Sequence, residues 1–302
     1  MNWKIFRSAT CVSFALLLFA SSASAKDWFV NNTGGSDDNS GVSERRPFKT
    51  IAKALKVSEQ GDRIILANSG EPYRETIRLA GKNKSGTGTQ PFMVIGNGAV
   101  LDGRKDVSSD QWEHFEGNVF RFRPERMSNQ LLYRDDRPAP KVSVKTRDEI
   151  KTALTAGKWT SFKGWIYFCV DPSVDPINYD LSYCNLTVGV SLYRVDNVVV
   201  KDLVVQGFQL DGLSCHDLTR NVVFNGLNSR GNGRSGVHVG GASRLVIEDC
   251  LVGDNGGAQV RTEGYCKVDI KQSNLLESEV YGDPIVVEGG RVTVDGKKVE
   301  KK

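Results

Sequence analysis

The 302-residue chain lacks the basic excess that is typical of nucleic-acid-binding proteins, because its formal net charge is only +4. It is also poor in proline and histidine, with 9 and 3 residues respectively. A charge balance this close to zero does not exclude an acidic polysaccharide, since a local basic patch is enough to bind one. We therefore expect no nucleic-acid partner and keep a polysaccharide partner open.

Long apolar runs are scarce as well. The clearest one, Cys11–Ala20, is well short of the roughly 20 residues that a membrane span needs. It follows two basic residues and precedes the small residues Ala23–Ala25, which is the pattern of a secretory signal peptide. We predict that residues 1–25 are this signal peptide and that the mature chain begins at Lys26. The predicted localisation is secreted or periplasmic, without a membrane span.

The cysteine pattern argues against the common zinc and redox motifs, because no C-x-x-C spacing occurs. Removal of the signal peptide leaves five cysteines, namely Cys169, Cys184, Cys215, Cys250 and Cys266. An odd number means at least one free thiol or an intermolecular disulfide. Cys169 and Cys184 flank a short loop, and both a disulfide and two free thiols are open for them. For the other three we expect small buried core residues.

Residues 191–290 contain an internal repeat with a period of about 23 to 24 residues. One apolar column comprises Val200, Phe224, Ile247 and Ile270, and a second comprises Leu213, Val237, Val260 and Ile285. Two short strands per repeat cannot bury their apolar side alone, but stacked repeats bury it together. No leucine-rich frame is present, and the period is too short for a propeller. The repeat therefore predicts a β-solenoid.

The remaining segments differ from this repeat in composition and spacing. Residues 26–103 are predicted to form an N-terminal cap and the first solenoid turns, with an amphipathic helix at Pro47–Val57. Residues 104–190 break the period and are predicted to be a β-rich insertion. Residues 191–302 are predicted to hold the repeats and a charged C-terminal tail.

The N-terminal segment carries motifs of a known family, namely Asn31–Gly41, Pro47–Leu55, Gly61–Leu66, Tyr73–Glu75 and Gly98–Gly103. With these motifs the sequence resembles the pectate-lyase-like superfamily of secreted right-handed parallel β-helix proteins. The resemblance implies an all-β, right-handed parallel β-helix whose open N-terminal end is capped by the helix. It also implies contact with carbohydrate, although this fold hosts lyases, hydrolases, epimerases and non-catalytic adhesins.

Two catalytic signatures of such proteins are missing from the expected places. Polygalacturonase-like hydrolases carry an adjacent aspartate pair on a turn of the repeat, whereas Asp37-Asp38 and Asp135-Asp136 lie outside it. The epimerase pattern Asp-Pro-His is only echoed at Ser214–His216, where serine replaces the acidic residue. The sequence therefore favours neither activity.

Strand alternation turns the second apolar column inward and its neighbours outward. The outward residues are predicted to form one polar patch on one sheet, on turns about 4.8 Å apart: His216, His238, Arg261, Glu263 and Glu288. For an acidic sugar, β-elimination needs a cation against the carboxylate, a base for the C5 proton and a proton donor to the leaving oxygen. We assign the first two tasks to Arg261 and His238, and the third to His216 or Tyr265.

Glu263, Glu288 and Tyr265 are predicted to bind substrate around these catalytic residues. The alternative for the whole patch is a solvated sheet face, where polar residues belong in any case. No metal is assigned. Asp37, Asp38 and Asn39 offer oxygens to Ca²⁺, but turn chemistry explains them without an ion.

The leading hypothesis is an exported polysaccharide-active protein, a lyase that acts by β-elimination on an acidic glycan. The alternative is a non-catalytic carbohydrate-binding or cell-surface β-helix protein. Trp112, Trp159 and Trp165 can either stack on sugar rings or pack the core of the insertion.

Overall fold

The computed structural model describes residues 25–276 and 282–300 of the chain. The predicted signal peptide lies outside the described residues, except for Ala25 at its end. The helices are α1 (Ile51–Val57) and α2 (Glu149–Ala153), with 3₁₀ turns at Lys82–Lys84, Ser109–Gln111 and Pro176–Asn178. The strands are β1 (Asp27–Val30), β2 (Arg63–Leu66), β3 (Ile77–Ala80), β4 (Phe92–Ile95), β5 (Val100–Asp102), β6 (Arg104–Asp106), β7 (Glu113–Glu116), β8 (Val119–Phe122), β9 (Leu132–Arg134), β10 (Arg137–Pro138), β11 (Trp159–Phe162), β12 (Trp165–Cys169), β13 (Leu181–Cys184), β14 (Val190–Tyr193), β15 (Asp196–Lys201), β16 (Val204–Gln206), β17 (Asp211–His216), β18 (Arg220–Asn225), β19 (Asn228–Arg230), β20 (Ser235–Val239), β21 (Arg244–Glu248), β22 (Leu251–Gly253), β23 (Ala258–Thr262), β24 (Lys267–Lys271), β25 (Asn274–Leu275), β26 (Asp283–Val287), β27 (Arg291–Val294) and β28 (Lys297–Lys298).

Three sheets of parallel strands wrap around one apolar core. Sheet A has the order β1-β2-β4-β15-β18-β21-β24-β27, with β28 added antiparallel at its end. Sheet B has the order β5-β16-β19-β22-β25, and sheet C has the order β3-β14-β17-β20-β23-β26. The chain visits A, B and C in turn and then returns to A one strand further along. The predicted fold class is therefore confirmed as a right-handed parallel β-helix.

The two apolar columns predicted from the repeat are confirmed by the strand register. In sheet A, Phe224 pairs with Val200 on one side and with Ile247 on the other, and Ile247 pairs with Ile270. These four side chains are at most 1% exposed. In sheet C the pairing runs through Leu213, Val237, Val260 and Ile285. In each column, equivalent residues of successive repeats lie on top of one another. One sequence period therefore equals one turn of the β-helix.

The helix α1 closes the N-terminal end of the core, against β1, β2 and β3. It buries Ile51 and Ala54. The helix begins at Ile51 rather than at the predicted Pro47, because Phe48 still forms a bridge with Val30 and Thr50 caps the helix through its side chain. The described residues contain no helix that is long and apolar enough to cross a membrane.

The segment between β5 and β14 leaves the β-helix at a turn between sheets B and C. It forms two antiparallel sheets, β10-β9-β13-β6 and β11-β12-β8-β7, with their own apolar cores. The segment then folds back on the next B-to-C turns. Tyr133 donates a hydrogen bond to the carbonyl of Gly231, and Gln209 donates to the carbonyl of Arg126 at 3.0 Å. A side chain at Gly233 would collide with the carbonyl of Asn129, so only glycine permits this contact.

Two buried asparagines stack inside the B-to-C turns that face this segment. The side-chain oxygen of Asn255 accepts hydrogen bonds from the backbone N and from Nδ2 of Asn232, at 2.8 and 2.9 Å. Its Nδ2 donates to Oε1 of Gln259 at 2.8 Å. Both asparagines are fully buried. This ladder fixes the turns that carry Gly233 and Gly256, which face the inserted segment.

All five cysteines described are buried free thiols. The bridge considered between Cys169 and Cys184 is therefore not formed. The reason is their location: Cys169 packs in the core beneath α2, while Cys184 packs in the core of the other inserted sheet.

Candidate functional site

The register of sheet C brings the predicted site residues onto neighbouring strands. Ser214 of β17 pairs with His238 of β20, and His238 pairs with Arg261 of β23. His216 lies two residues after Ser214 on the same face, next to Tyr193 of β14. The geometry follows from alternation within each strand and from stacking between strands.

Ser214 links the two histidines. Its Oγ lies 2.7 Å from Nε2 of His216 and 3.0 Å from Nδ1 of His238. A hydroxyl has one proton, so Ser214 donates to one ring and accepts from the other. Nε2 of His238 faces Oε1 of Glu263 at 3.1 Å, although the angle is outside the hydrogen-bond range. If Nε2 of His238 carries a proton, this N–H group attracts the carboxylate of Glu263.

From these contacts we assign a tautomer to each ring. His238 carries its proton on Nε2 and accepts the Ser214 hydroxyl at Nδ1. His216 carries its proton on Nε2 and donates it to Ser214. Nδ1 of His216 is then an unprotonated nitrogen, and none of the described groups hydrogen-bonds it. The Ser214 oxygen is fully buried and cannot act as a nucleophile on a polymer, despite the resemblance of Ser214, His238 and Glu263 to a hydrolase triad.

The exposure of His238 differs from the prediction. The sequence places His238 on a solvent-facing patch, but its side chain is 1% exposed, whereas His216 is half-buried. Alternation gives the direction of a side chain but not what covers it. Burial lowers the pKa of His238 below its ordinary value, and the positive charge of Arg234 acts in the same direction. His238 is therefore neutral at pH 7 and positioned inside the site rather than at its surface.

An ion pair that the sequence analysis missed lies beside the histidines. Arg234 donates to both carboxylate oxygens of Asp211, at 3.0 and 2.5 Å, and Ser235 donates to the same carboxylate. Oδ2 of Asp211 lies 4.0 Å from Nδ1 of His238. Asp211 and Ser235 are paired in register, one turn apart. The repeat spacing pairs position 211 with position 235, and this pairing could have revealed from the sequence that Arg234 lies close to Asp211.

Of the remaining predicted residues, some interact with one another or with His238, and one does not. Arg261 donates through Nη1 to Glu288 at 2.5 Å, and its side chain is 21% exposed. Its Nε is buried and has no partner in the described part of the chain. Glu263 faces His238, as described above. Tyr265, by contrast, is 89% exposed and makes none of the contacts that join the other residues.

A pocket of about 300 Å³ separates Arg261 from the inserted segment. Its lining combines turns of the β-helix with loops of that segment: Asn129, Gln130, Leu131, Lys141, Gly233, Arg234, Gly256, Gly257 and Arg261. Three of these residues are cations, and none is an anion. The docking of the inserted segment against the asparagine ladder thus creates a basic pocket next to the histidine pair.

The proposed calcium ligands serve the backbone instead. The carboxylate of Asp37 accepts hydrogen bonds from the backbone N of Lys49 and from the N and Oγ1 of Thr50, at 2.8 to 3.0 Å. Partial burial opposes ionisation, but these hydrogen bonds outweigh it and lower the pKa of Asp37. No group of three or more potential ligands that fits a metal ion occurs in residues 25–276 and 282–300. Asp37 therefore anchors the start of α1.

The tryptophans of the inserted segment pack rather than face a groove. Trp159 is fully buried, and its indole N–H donates to the carbonyl of Ala139 at 2.9 Å. Trp112 stands edge-on to Phe122, with ring centroids 5.0 Å apart. Trp165 is half-buried under the guanidinium of Arg121.

The fold and the site together define the class as a parallel β-helix with a cluster of polar residues on sheet C. Residues 177–302 match the family model described as a right handed beta helix region. The structure of XylC with xylose superposes with a TM-score of 0.55 at 12% identity, and covers 89% of this chain and 64% of that one. A glycoside hydrolase structure superposes with a TM-score of 0.56 at 10% identity, and covers 82% and 73%. No curated protein matches the sequence.

These likenesses establish the shared fold. The chain spans 64% of the length of the XylC chain that it matches. Activity and substrate are argued below from this chain's own residues.

Proposed function

We propose that this protein is an exported polysaccharide lyase that cleaves an acidic glycan by β-elimination, with His216 as the base. The observation that carries this proposal is the position of half-buried His216 beside a basic pocket: its Nε2 is held by Ser214 and, through it, by His238, and its Nδ1 has no hydrogen-bond partner among the described residues. The assignment moves the role of the base from His238 to His216 and no longer uses His216 as the proton donor. His238 is too buried to touch a polymer, whereas His216 is accessible.

The elimination uses groups on two neighbouring strands. Nδ1 of His216 takes the C5 proton of a uronate, and the electrons of that C–H bond form the C4–C5 double bond. The C4–O bond breaks, and the leaving oxygen takes a proton. Tyr193 pairs with His216 in register and is 40% exposed, and we assign its hydroxyl as the donor of that proton. Neither Tyr265 nor a metal ion is needed in this scheme.

The buried members of the site tune the base. Ser214 and His238 fix the ring of His216, and Glu263 holds the tautomer of His238 that makes this possible. The cations at the pocket attract the uronate carboxylate. They also stabilise the negative charge that develops when the C5 proton leaves. Arg261 offers its unpartnered Nε for this purpose.

The test is the ultraviolet absorbance of the unsaturated product over a panel of uronate polymers, with and without Ca²⁺. We expect His216→Gln to lower kcat by roughly 100-fold or more, because general bases typically contribute 10²- to 10⁴-fold. His114→Gln is the matched control, since His114 lies on β7 of the inserted segment, where its ring bonds the carbonyl of Gly117 and packs against the ring of Phe120. Full activity of His216→Gln would refute the assignment.

The second candidate is a non-catalytic carbohydrate-binding protein. It is favoured by one observation, namely that Arg234 and Arg261 are both already paired with carboxylates. Binding of a uronate polymer by the wild-type protein without any unsaturated product would support this function instead.

A further inference from the structure

The inserted segment supplies the one pocket cation that no described carboxylate neutralises. Lys141 lines the pocket with Arg234 and Arg261, and each arginine has its own acidic partner, Asp211 or Glu288. Within the described residues Lys141 forms no ion pair. Its Nζ instead lies 4.7 Å from the centre of the Trp159 ring. The pocket therefore has a surplus positive charge.

Two buried polar atoms on the pocket wall also lack partners. Gln130 is 2% exposed, and its Nε2 donates to the carbonyl of Arg126 at 2.8 Å. Its Oε1 is a buried acceptor without a partner, and Nε of Arg261 is a buried donor without a partner, among the residues that the structure describes. A buried donor or acceptor without a partner is destabilising. A ligand that brings both an acceptor and a donor removes that destabilisation.

The environment of Lys141 favours binding of an anion next to its ammonium group. Desolvation by the surrounding segment lowers the pKa of Lys141, although the residue as a whole is exposed. A carboxylate in the pocket restores the interactions that the ammonium has lost from water. Packing against Trp159 keeps the side chain over the pocket.

We propose that this pocket is a subsite for one acidic sugar of the glycan, in which Lys141 and Nε of Arg261 bind the carboxylate and Oε1 of Gln130 accepts a hydrogen bond from a hydroxyl. The inference rests on the proposed function, because the pocket adjoins the histidine pair through Arg234 and Asp211. It gives the inserted segment a role in choosing the substrate. The uronate is recognised across the seam between that segment and the β-helix.

The experiment measures binding of oligogalacturonate and of its methyl ester, which has the same shape without the charge. Both are titrated by calorimetry into the mature protein carrying His216→Gln, so that turnover does not interfere. We expect the acid to bind at least about tenfold more tightly than the ester, since hydrogen bonds to charged groups are worth about that much. Lys141→Gln should bring the ratio close to one, and Lys141→Arg should retain it.

Lys163→Gln is the matched control. Lys163 also lies on the inserted segment with its Nζ over an aromatic ring, that of Phe162 at 5.4 Å, but it does not line the pocket. Its substitution should leave the ratio unchanged. Two results with Lys141 intact overturn the subsite: the acid and the ester bind equally tightly, or neither of them binds.

The two proposals fail in different ways. Unsaturated product from wild-type protein with an unchanged acid-to-ester ratio in Lys141→Gln refutes the subsite and leaves the lyase standing. The predicted ratios without any product refute the lyase and leave the subsite standing.

Discussion

Replacement of Asn255 by alanine is expected to destabilise the protein strongly, although the side chain is small. The carboxamide makes five hydrogen bonds inside the core. The acceptors Gly253 and Gln259 keep other partners. The backbone N–H of Asn232 does not, and a buried donor without a partner costs about 1–3 kcal/mol.

The other lost hydrogen bonds add about 1 kcal/mol each for the two or three that are not replaced. The total is about 3–6 kcal/mol. For a protein of this size that corresponds to a fall in Tm of roughly 6–12 °C. Differential scanning calorimetry of the mature protein measures it directly.

Asn274→Ala is the matched control, because Asn274 lies in sheet B on an exposed strand position. It should change the free energy of unfolding by less than about 0.5 kcal/mol. If Asn255→Ala melts together with Asn274→Ala, the ladder does not stabilise the turns, and the positioning of the pocket has another cause.

Three further outcomes are expected. Ile247→Asp buries an unpaired charge between Phe224 and Ile270 and should lower the free energy of unfolding by about 3–5 kcal/mol. Ile247→Val should lower it by about 1 kcal/mol. Equal melting curves of the two variants would show that the core register is wrong. Burial keeps the pKa of His238 below 6.5, so the unfolded chain binds a proton first and stability should decline as the pH falls below about 6.5. His238→Gln should flatten that decline in thermal melts between pH 7.5 and 5, and an unaltered slope would contradict it. Intact-mass analysis of exported protein should give a chain that begins at Lys26, and a mass that retains residues 1–25 would disprove the cleavage site.

The periodic part of the fold could be predicted from the sequence because its contacts repeat. Each turn places equivalent residues at one spacing, so Ile247 and Ile270 align without any knowledge of the rest of the chain. The same spacing places His238 next to Arg261. It also places Tyr193 next to His216, but the second predicted apolar column begins one turn later, at Leu213, and so does not reach that pair.

The burial of His238 and the basic pocket could not be predicted in this way. Both depend on groups outside the strand pattern. Arg234 comes from a turn and lies on Asp211, and Lys141 comes from a segment without a period. Where that segment docks is decided by contacts such as Tyr133 with Gly231, which have no spacing rule. Alternation gives the face of a side chain, and tertiary packing decides what reaches it.

The position of the inserted segment also has a consequence for the order of folding. Neighbouring turns of the C-terminal repeats meet across 24 residues, as Ser214 and His238 do, whereas Asp196 meets Ser85 across 111 residues. Closing the longer loop costs about 1.3 kcal/mol more in chain entropy. We therefore expect the C-terminal turns to form first and the N-terminal cap to dock last. Pulsed hydrogen exchange during refolding should show β18 and β21 protected before β2 and β4, and simultaneous protection would argue against this order.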